Sequence, residues 1–217
     1  IVDASVVRVG DNGFSETVTY PNPSGHRAAA GGTWSSDAYD PYADIIGMSD
    51  KLNDAGYSVD RMITSSGVLA KLLRNAKVAQ RTGRGTVFNG TAYLGRVTRD
   101  DLNDLLSSDG LPPIETYDRK YRTQSAQARF LKEGNFVLIS RTERDETIDL
   151  GAGESRFLPG VLGYTAIGRA VGQSGPGRVI RAESHDDKPP RVTAEGWMTS
   201  LPVITDPQAI AVIHTIS

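Results

Sequence analysis

The sequence predicts an α+β fold, with helices in the first half and strands through most of the rest. Apolar residues recur at helical spacing after Asp40, after Ser65 and after Thr98. From Ile114 onward, short apolar runs alternate with Gly, Pro and Asp, the punctuation of strands and turns. No apolar run approaches the ~20 residues needed to span a bilayer.

Residues 5–9 and 16–20 flank Gly10-Asp11-Asn12-Gly13 and read as a β-hairpin. Residues 21–33, with Pro21-Asn22-Pro23 and Gly31-Gly32, read as an extended arm or loop. Asp40 is a good N-cap with Pro41 in the first helical position. Ile45, Met48, Leu52 and Ala55 then keep one face apolar, and Gly56 stops the helix, which is expected over 41–55. Residues 57–63 read as a short strand. Ser65 or Ser66 caps a second helix carrying Val68, Leu69, Leu72 and Leu73, with Lys71, Arg74 and Lys77 along one side. Gly83, Gly85, Gly90 and Gly95 among Val87, Phe88, Tyr93 and Leu94 suggest short strands or a loop. Thr98 and Asp101 resemble a capping box, with Asp for the usual Glu, and open a helix through Leu102, Leu105 and Leu106 that ends at Gly110. Residues 114–121 and 135–140 are candidate strands. Residues 141–177 are glycine-rich and of mixed charge, and read as the most mobile region. Residues 192–204 and 209–216 form the expected closing pair, joined by an Asp206-Pro207 turn. No internal repeat is evident.

The 217 residues fit one large domain or two small ones. The content is 38% AVILMFWYC with 23 Gly, enough to bury a core. A net charge of −2 shows no global basic excess of the kind a dedicated nucleic-acid binder carries. The absence of Cys excludes disulfides, thiol catalysis and thiolate zinc sites, and fits a reducing cytoplasm. No signal peptide is visible. The chain opens on Ile1 without a Met, and reads as a processed or partial product.

Little in the sequence suggests a catalyst. There is no Gly-Lys pair for a phosphate loop, and Gly83-Arg84-Gly85 lacks the third Gly of a dinucleotide fingerprint. His26, His185 and His214 stand apart in sequence, with no His-Glu-x-x-His pair. His214 reads as a packed or edge residue of the last strand. His185-Asp186-Asp187, beside Lys188-Pro189-Pro190, reads as a solvated loop. Acids cluster at Asp100, Asp101, Asp104 and Asp109, and at Glu143, Asp145, Glu146 and Asp149, but nothing sets two of them across a cleft as glycoside hydrolysis requires. The first cluster is favourable charge around the helix after Thr98. Asn89-Gly90-Thr91 matches a glycosylation sequon and reads as chance. No catalytic, cofactor-binding or metal-binding residue is assigned.

The strongest charge feature is a segment without acids. Between Arg61 and Arg99 lie eight basic residues and no Asp or Glu. Lys71, Arg74, Lys77, Arg81 and Arg84 form the candidate patch, facing a neighbouring subunit or DNA. As an inter-subunit surface, it would meet the acidic 100–109 or 143–149 segment of the next copy. The 18 Arg against 6 Lys also favour interfaces, because the guanidinium fork suits interfacial ion pairs.

Several landmarks occur in a telling order: Trp34 with Asp40-Pro41-Tyr42-Ala43-Asp44-Ile45-Ile46; Gly56-Tyr57-Ser58-Val59-Asp60-Arg61-Met62-Ile63; Val68 to Leu73; Leu111-Pro112-Pro113-Ile114 with Tyr117-Asp118-Arg119-Lys120-Tyr121; Gly134 to Ser140; and Leu201-Pro202-Val203-Ile204 with Asp206-Pro207. Over residues 34–217 this set resembles the lambda-type capsid protein E family of tailed phages. The resemblance implies a Hong Kong 97-like capsid fold. Residues 1–33 would be an N-terminal hairpin and arm. Residues 34–63 and 178–204 would form a peripheral domain with a spine helix over 41–55. Residues 64–177 and 205–217 would form an axial domain. It further implies a non-enzymatic subunit in the virion, assembled in the host cytoplasm into pentamers and hexamers around packaged DNA. Portal, scaffold or decoration proteins would be partners, with no cofactor and no membrane. Only 33 residues precede Trp34, fewer than the family usually carries ahead of its spine helix. An encapsulin-like or gene-transfer-agent shell, a small hydrolase and a DNA-binding module are the competing readings.

Overall fold

A computed structural model describes residues 5–9, 15–19, 25–88, 91–122, 126–142, 146–151, 154–158, 160–169, 175, 177–186 and 190–216. The turn at 10–13, Pro21-Asn22-Pro23, Asn89-Gly90 of the sequon, Glu143, Asp145 and residues 187–189 lie outside them. The chain divides into two compact units, residues 1–143 with 206–217 and residues 144–205.

Strands β1 (Ser5–Val9) and β2 (Ser15–Thr19) form the expected antiparallel hairpin. β3 (Arg27–Thr33) corrects the reading of 21–33 as arm or loop, because it is a sheet strand that runs parallel to the chain's last strand. Its partner lies far away in sequence, so no local signal distinguished it from a loop. The last two residues of the β3 Gly-rich stretch show why Gly is needed there: a Cβ on Gly32 would sit 2.4 Å from the Tyr39 ring.

Helix α1 (Pro41–Asp54) starts where the sequence places it. Asp40 is extended and accepts the Tyr42 N–H. The buried side chains Tyr42, Ile45, Met48 and Leu52 recur at three and four residues. Gly56 adopts a φ of 86° and lets the Tyr57 N–H reach back to the Leu52 carbonyl. β4 (Val59–Thr64) follows, and the Ser65 hydroxyl caps α2 (Ser66–Arg74) by accepting from the Val68 N–H.

The helix does not continue through residue 77. Asn75 takes extended dihedrals, and a separate helix, α3 (Ala76–Arg81), begins there. Lys77 is therefore not on the helix of Lys71 and Arg74. A short hairpin of β5 (Gly85–Phe88) and β6 (Thr91–Leu94) leads to α4 (Arg99–Ser108). At the head of α4 the capping box forms in full: Thr98 Oγ1 accepts from the Asp101 N–H, and Asp101 accepts from the Thr98 N–H.

The expected strand 114–121 is two strands, β7 (Ile114–Thr116) and β8 (Lys120–Arg122), and β8 pairs with β9 (Gln127–Arg129). The break sits at Asp118, whose carboxylate turns aside to accept the Ser66 N–H and to meet Arg129. β10 (Asn135–Ser140) is as predicted.

Residues 141–177 hold more structure than expected: β11 (Glu146–Gly151), β12 (Glu154–Leu158) and β13 (Gly163–Gly168). β14 (Arg178–His185) had no counterpart in the sequence reading. After β15 (Arg191–Ile204) and a 3-10 turn at Pro207–Ala209, β16 (Ile210–Ile216) ends the fold.

The closing pair does not form. β15 pairs with β13 and β14, whereas β16 lies between β10 and β3. The first unit is organised by the mixed sheet β3-β16-β10-β4-β7. Its period-two alternation serves two faces. Met62, Phe136, Leu138, Ala211 and Ile213 join Trp34, Ile45, Leu52, Leu72, Leu102 and Leu106 in the main core. On the opposite face Val137 and Val212 pack with Leu131, Ile63, Ile139 and Ile210. This explains why β10 is buried almost throughout.

The sequence reading joined 34–63 with 178–204 and 64–177 with 205–217. In the structure α1 packs on a sheet that contains β16, and both belong to the first compact unit.

Candidate inter-subunit surface

The basic patch is built on the α2–α3 corner, and the corner is built by Asn75. This side chain is 2% exposed. Its Oδ1 accepts from the N–H groups of Lys77 (2.8 Å) and Val78 (3.2 Å), which caps α3. Its Nδ2 faces the carbonyls of Trp34 (3.2 Å), Ser36 (2.9 Å) and Tyr39 (3.1 Å), which binds the 34–39 loop to the helices. Asp37 adds a bond from the Ala76 N–H.

The same loop is held to α1 by Asp44, which accepts from Trp34 Nε1 at 2.8 Å and from the Tyr39 hydroxyl at 2.5 Å. Burial, then the Asp44 hydrogen bond, pushes the Tyr39 phenol up to about 12. Burial and the Asp109 carboxylate, which accepts from the Tyr42 hydroxyl at 2.6 Å, raise the Tyr42 phenol further. Both tyrosines therefore act as fixed donors over the ordinary pH range.

Two of the five patch residues are already matched within the chain. Arg81 donates to Asp40 Oδ2 through Nε (2.9 Å) and a terminal nitrogen (2.6 Å), with its guanidinium carbon 5.1 Å from the centre of the Tyr42 ring. Arg84 binds Asp101 in the same manner, at 3.1 and 2.7 Å. Arg61 and Arg99 are likewise matched within the chain, the first by Glu115 at the surface and the second by the Ile114 carbonyl. The acid-free segment is thus partly neutralised by acids that the fold brings from outside it.

Lys71, Arg74 and Lys77 show no ion pair among the described residues. Lys71 and Arg74, three apart on α2, are neighbours on its surface. These three cations remain the candidate docking residues. Asp100 and Asp104 of α4 are exposed and available to a partner of opposite charge.

Arg84, and then the Thr98 N–H and hydroxyl, hold the Asp101 carboxyl well below its ordinary 3.8. A carboxyl depressed in the folded state stabilises above its unfolded pKa, and that contribution is lost as pH falls through the folded value. Asp101→Asn is therefore expected to be less stable than the parent at neutral pH, with the gap closing in acid. Paired acid titrations followed by helical circular dichroism measure this, and a gap constant with pH would contradict it.

Sequence reasoning missed Asn75 as the organiser. The available signal was an Asn, poor inside helices and good at N-caps, between two apolar-periodic stretches. His214 is a packed residue as expected, with Nδ1 2.7 Å from Asn135 Oδ1. His26 is buried in the segment before β3, and His185 ends β14. Among the described residues, no three His, Asp or Glu side chains are placed to hold a metal, and no helix is long and apolar enough to cross a membrane.

Among the described residues, two of the first unit's surface hollows bear on ligand binding. One, of about 160 Å³, lies between α1 and β3 and is lined by Ala28, Ala43, Asp44, Gly47 and Lys51 among others. The other, of about 210 Å³, is bounded by Arg81, Thr82, Asp101, Asp104 and Leu105. Both fall below the roughly 300–1,000 Å³ of ordinary ligand sites. Their polar groups are largely committed, Asp44 to Trp34 and Tyr39 and Asp101 to Arg84.

A family model described as phage major capsid protein E matches residues 6–213. No curated protein matches the chain. Among the solved structures that share its fold are two crystal structures. One is a phage-related protein from Bordetella bronchiseptica RB50, with 16% identity and a TM-score of 0.55 over 89% of this chain and 57% of that one. The other is a prophage protein of E. coli CFT073 described as a capsid protein, with 14% identity and a TM-score of 0.56 over 98% of this chain and 59% of that one. The chain thus spans less than two thirds of the length of either structure.

Proposed function

Because this chain belongs to the phage major capsid protein E family, we propose that it is a structural subunit of an icosahedral bacteriophage shell. The observation that carries the reading is the family match across 6–213, and the mixed helix-and-sheet fold shared with a prophage capsid structure supports it. The subunit takes a Hong Kong 97-like arrangement of peripheral and axial domains, with the helix from Pro41 as its spine helix. Copies form pentamers and hexamers and close around packaged DNA in the virion, after assembly in the host cytoplasm. Portal, scaffold or decoration proteins meet the finished shell.

The work of such a protein is burial of surface between copies, guided into register by charge. Head-to-tail contact of one patch with a different patch generates rings. Lys71, Arg74 and Lys77 of one subunit and the acidic α4 surface of the next, with Asp100 and Asp104, are a pair of this kind. Arg81 and Arg84 serve the subunit's own fold through Asp40 and Asp101.

Sedimentation and electron microscopy test both statements. The parent chain should form closed particles hundreds of times the mass of the monomer. The double reversal Arg74→Glu with Lys77→Glu should keep the helical circular dichroism and thermal midpoint of the parent but fail to form particles. A parent chain that stays monomeric and binds naked DNA with a steep salt dependence would overturn the shell reading. A double reversal that assembles normally would overturn the patch.

A further inference from the structure

The second unit raises a physical problem. Along β14 and the first half of β15, residues 180–184 and 191–196 are all exposed. Among the described residues β15 is paired on one side only at each point along its length: residues 199–204 with β13 and residues 191–198 with β14. The ribbon of β14 with the first half of β15 is therefore two strands wide, and such ribbons are marginal in water unless something covers or extends them. Among the described residues β14 is its free edge.

The ribbon is also two-faced. Opposed residues in an antiparallel pair share a face. Within residues 180–185 and 191–196, Ile180 with Gly196, Ala182 with Ala194, and Ser184 with Val192 form a face of small and apolar residues without charge. Arg181 with Glu195, Glu183 with Thr193, and His185 with Arg191 form a charged one. Ile180 and Val192 are each 72% exposed on the apolar side.

We infer that β14 pairs antiparallel with β14 of a second copy of this chain about a two-fold axis through Ala182, giving a continuous four-stranded sheet across two subunits. The inference rests on the shell reading, which makes a second copy the neighbour at hand.

The charges select the register. Antiparallel self-pairing keeps the two apolar faces on one side only if a residue, not a bond, lies on the axis and the opposed residues match in parity. An axis through Arg181 sets Arg181 against itself. An axis through Glu183 sets Glu183 against itself. An axis through Ala182 sets Arg181 of each copy against Glu183 of the other, twice. Like charges directly opposed destabilise a sheet and opposite charges support it. Arg181 already contacts Glu183 within its own strand, so the four groups form one network across the axis. The uncharged face of Ile180, Ala182 and Ser184 then continues from one copy into the other, and two exposed edges are paired.

The chain has no Cys, so single Cys substitutions report the register. In the full chain under mild oxidation, A182C is expected to run mostly as a covalent dimer, because residues on the axis have Cβ atoms roughly 5 Å apart, within reach of a disulfide. I180C is the control. Its two copies would lie four residues apart along the strands, roughly 13 Å, beyond disulfide reach. Adding E183R to A182C should abolish most of the dimer, since it sets Arg against Arg on both sides of the axis.

Preferential cross-linking of A182C that E183R removes supports the pairing. Cross-linking of A182C no better than I180C overturns it, and that is the outcome if another part of the same chain covers the ribbon. Particle formation by the parent scores the shell reading separately. Particles without preferential A182C dimers leave the shell reading standing and remove the pairing, and A182C dimers without particles do the reverse.

Discussion

Trp34→Ala is expected to lower the stability of the first unit by about 3–5 kcal/mol, the range for truncating a fully buried aromatic. Trp34 is 0% exposed and heads the fully buried side chains by size. Its ring meets Phe136 of β10 at 5.6 Å between centroids, which ties the loop after β3 to the central strand of the sheet. Its Nε1 also supplies one of the donors that satisfy Asp44 on α1. Removing the indole opens a cavity in the middle of the core and withdraws that donor in one step.

Trp34→Phe separates the two effects. It keeps most of the apolar volume and loses only the hydrogen bond, so about 1–3 kcal/mol is expected. Denaturant unfolding followed by helical circular dichroism measures both, because the described helices all lie in the first unit. The midpoint should fall with an unchanged slope. A loss below about 1 kcal/mol for Trp34→Ala, the level of an average surface-like substitution, would mean that the aromatic centre does not hold the unit together.

The parts of this fold that were legible in the sequence are those whose causes are local. Asp40-Pro41 and Gly56 bound α1 because a capping carboxylate, a ring with fixed φ and a positive φ act within a few residues. The Thr98–Asp101 box and the apolar run of β10 are of the same kind. The misreadings came from partners distant in sequence. β3 is a strand because β16 offers it a ladder almost two hundred residues away. Residues 114–121 break in two because Asp118 is drawn to Ser66 and Arg129. β15 and β16 look like a hairpin across Asp206-Pro207. Yet Asp206 is buried and accepts from Tyr57 at 2.8 Å and Thr142 at 2.7 Å, which fixes the turn as the return of the chain into the first unit. The candidate patch was legible as charge and illegible as geometry: Asp40 and Asp101 remove two of its five cations, and Asn75 moves a third onto another helix.

Asn75 carries the second large effect. Its carboxamide serves both neighbours at this corner, accepting from two N–H groups on one side and facing three carbonyls on the other. Asn75→Ala loses a cap worth about 1 kcal/mol and takes the amide donor from the Trp34 and Tyr39 carbonyls at about 1–3 kcal/mol, so a loss of about 2–4 kcal/mol is expected.

Asn75→Asp is the sharper test. The carboxylate keeps an oxygen for the Lys77 and Val78 N–H groups, and Asp caps helices as well as Asn does. By helix-capping alone Asn75→Asp should be neutral. At this site it also turns a second, negative oxygen towards the carbonyls of Trp34, Ser36 and Tyr39, in a buried place where no donor replaces the lost amide. Asn75→Asp is therefore expected to be at least as damaging as Asn75→Ala, measured by the same denaturant midpoints. A variant as stable as the parent would show that the 34–39 loop does not depend on the Asn75 amide nitrogen. The α2–α3 corner would then owe its shape to capping alone, and the separation of Lys77 from Lys71 and Arg74 would be a property of the helices and not of the loop that Trp34 anchors.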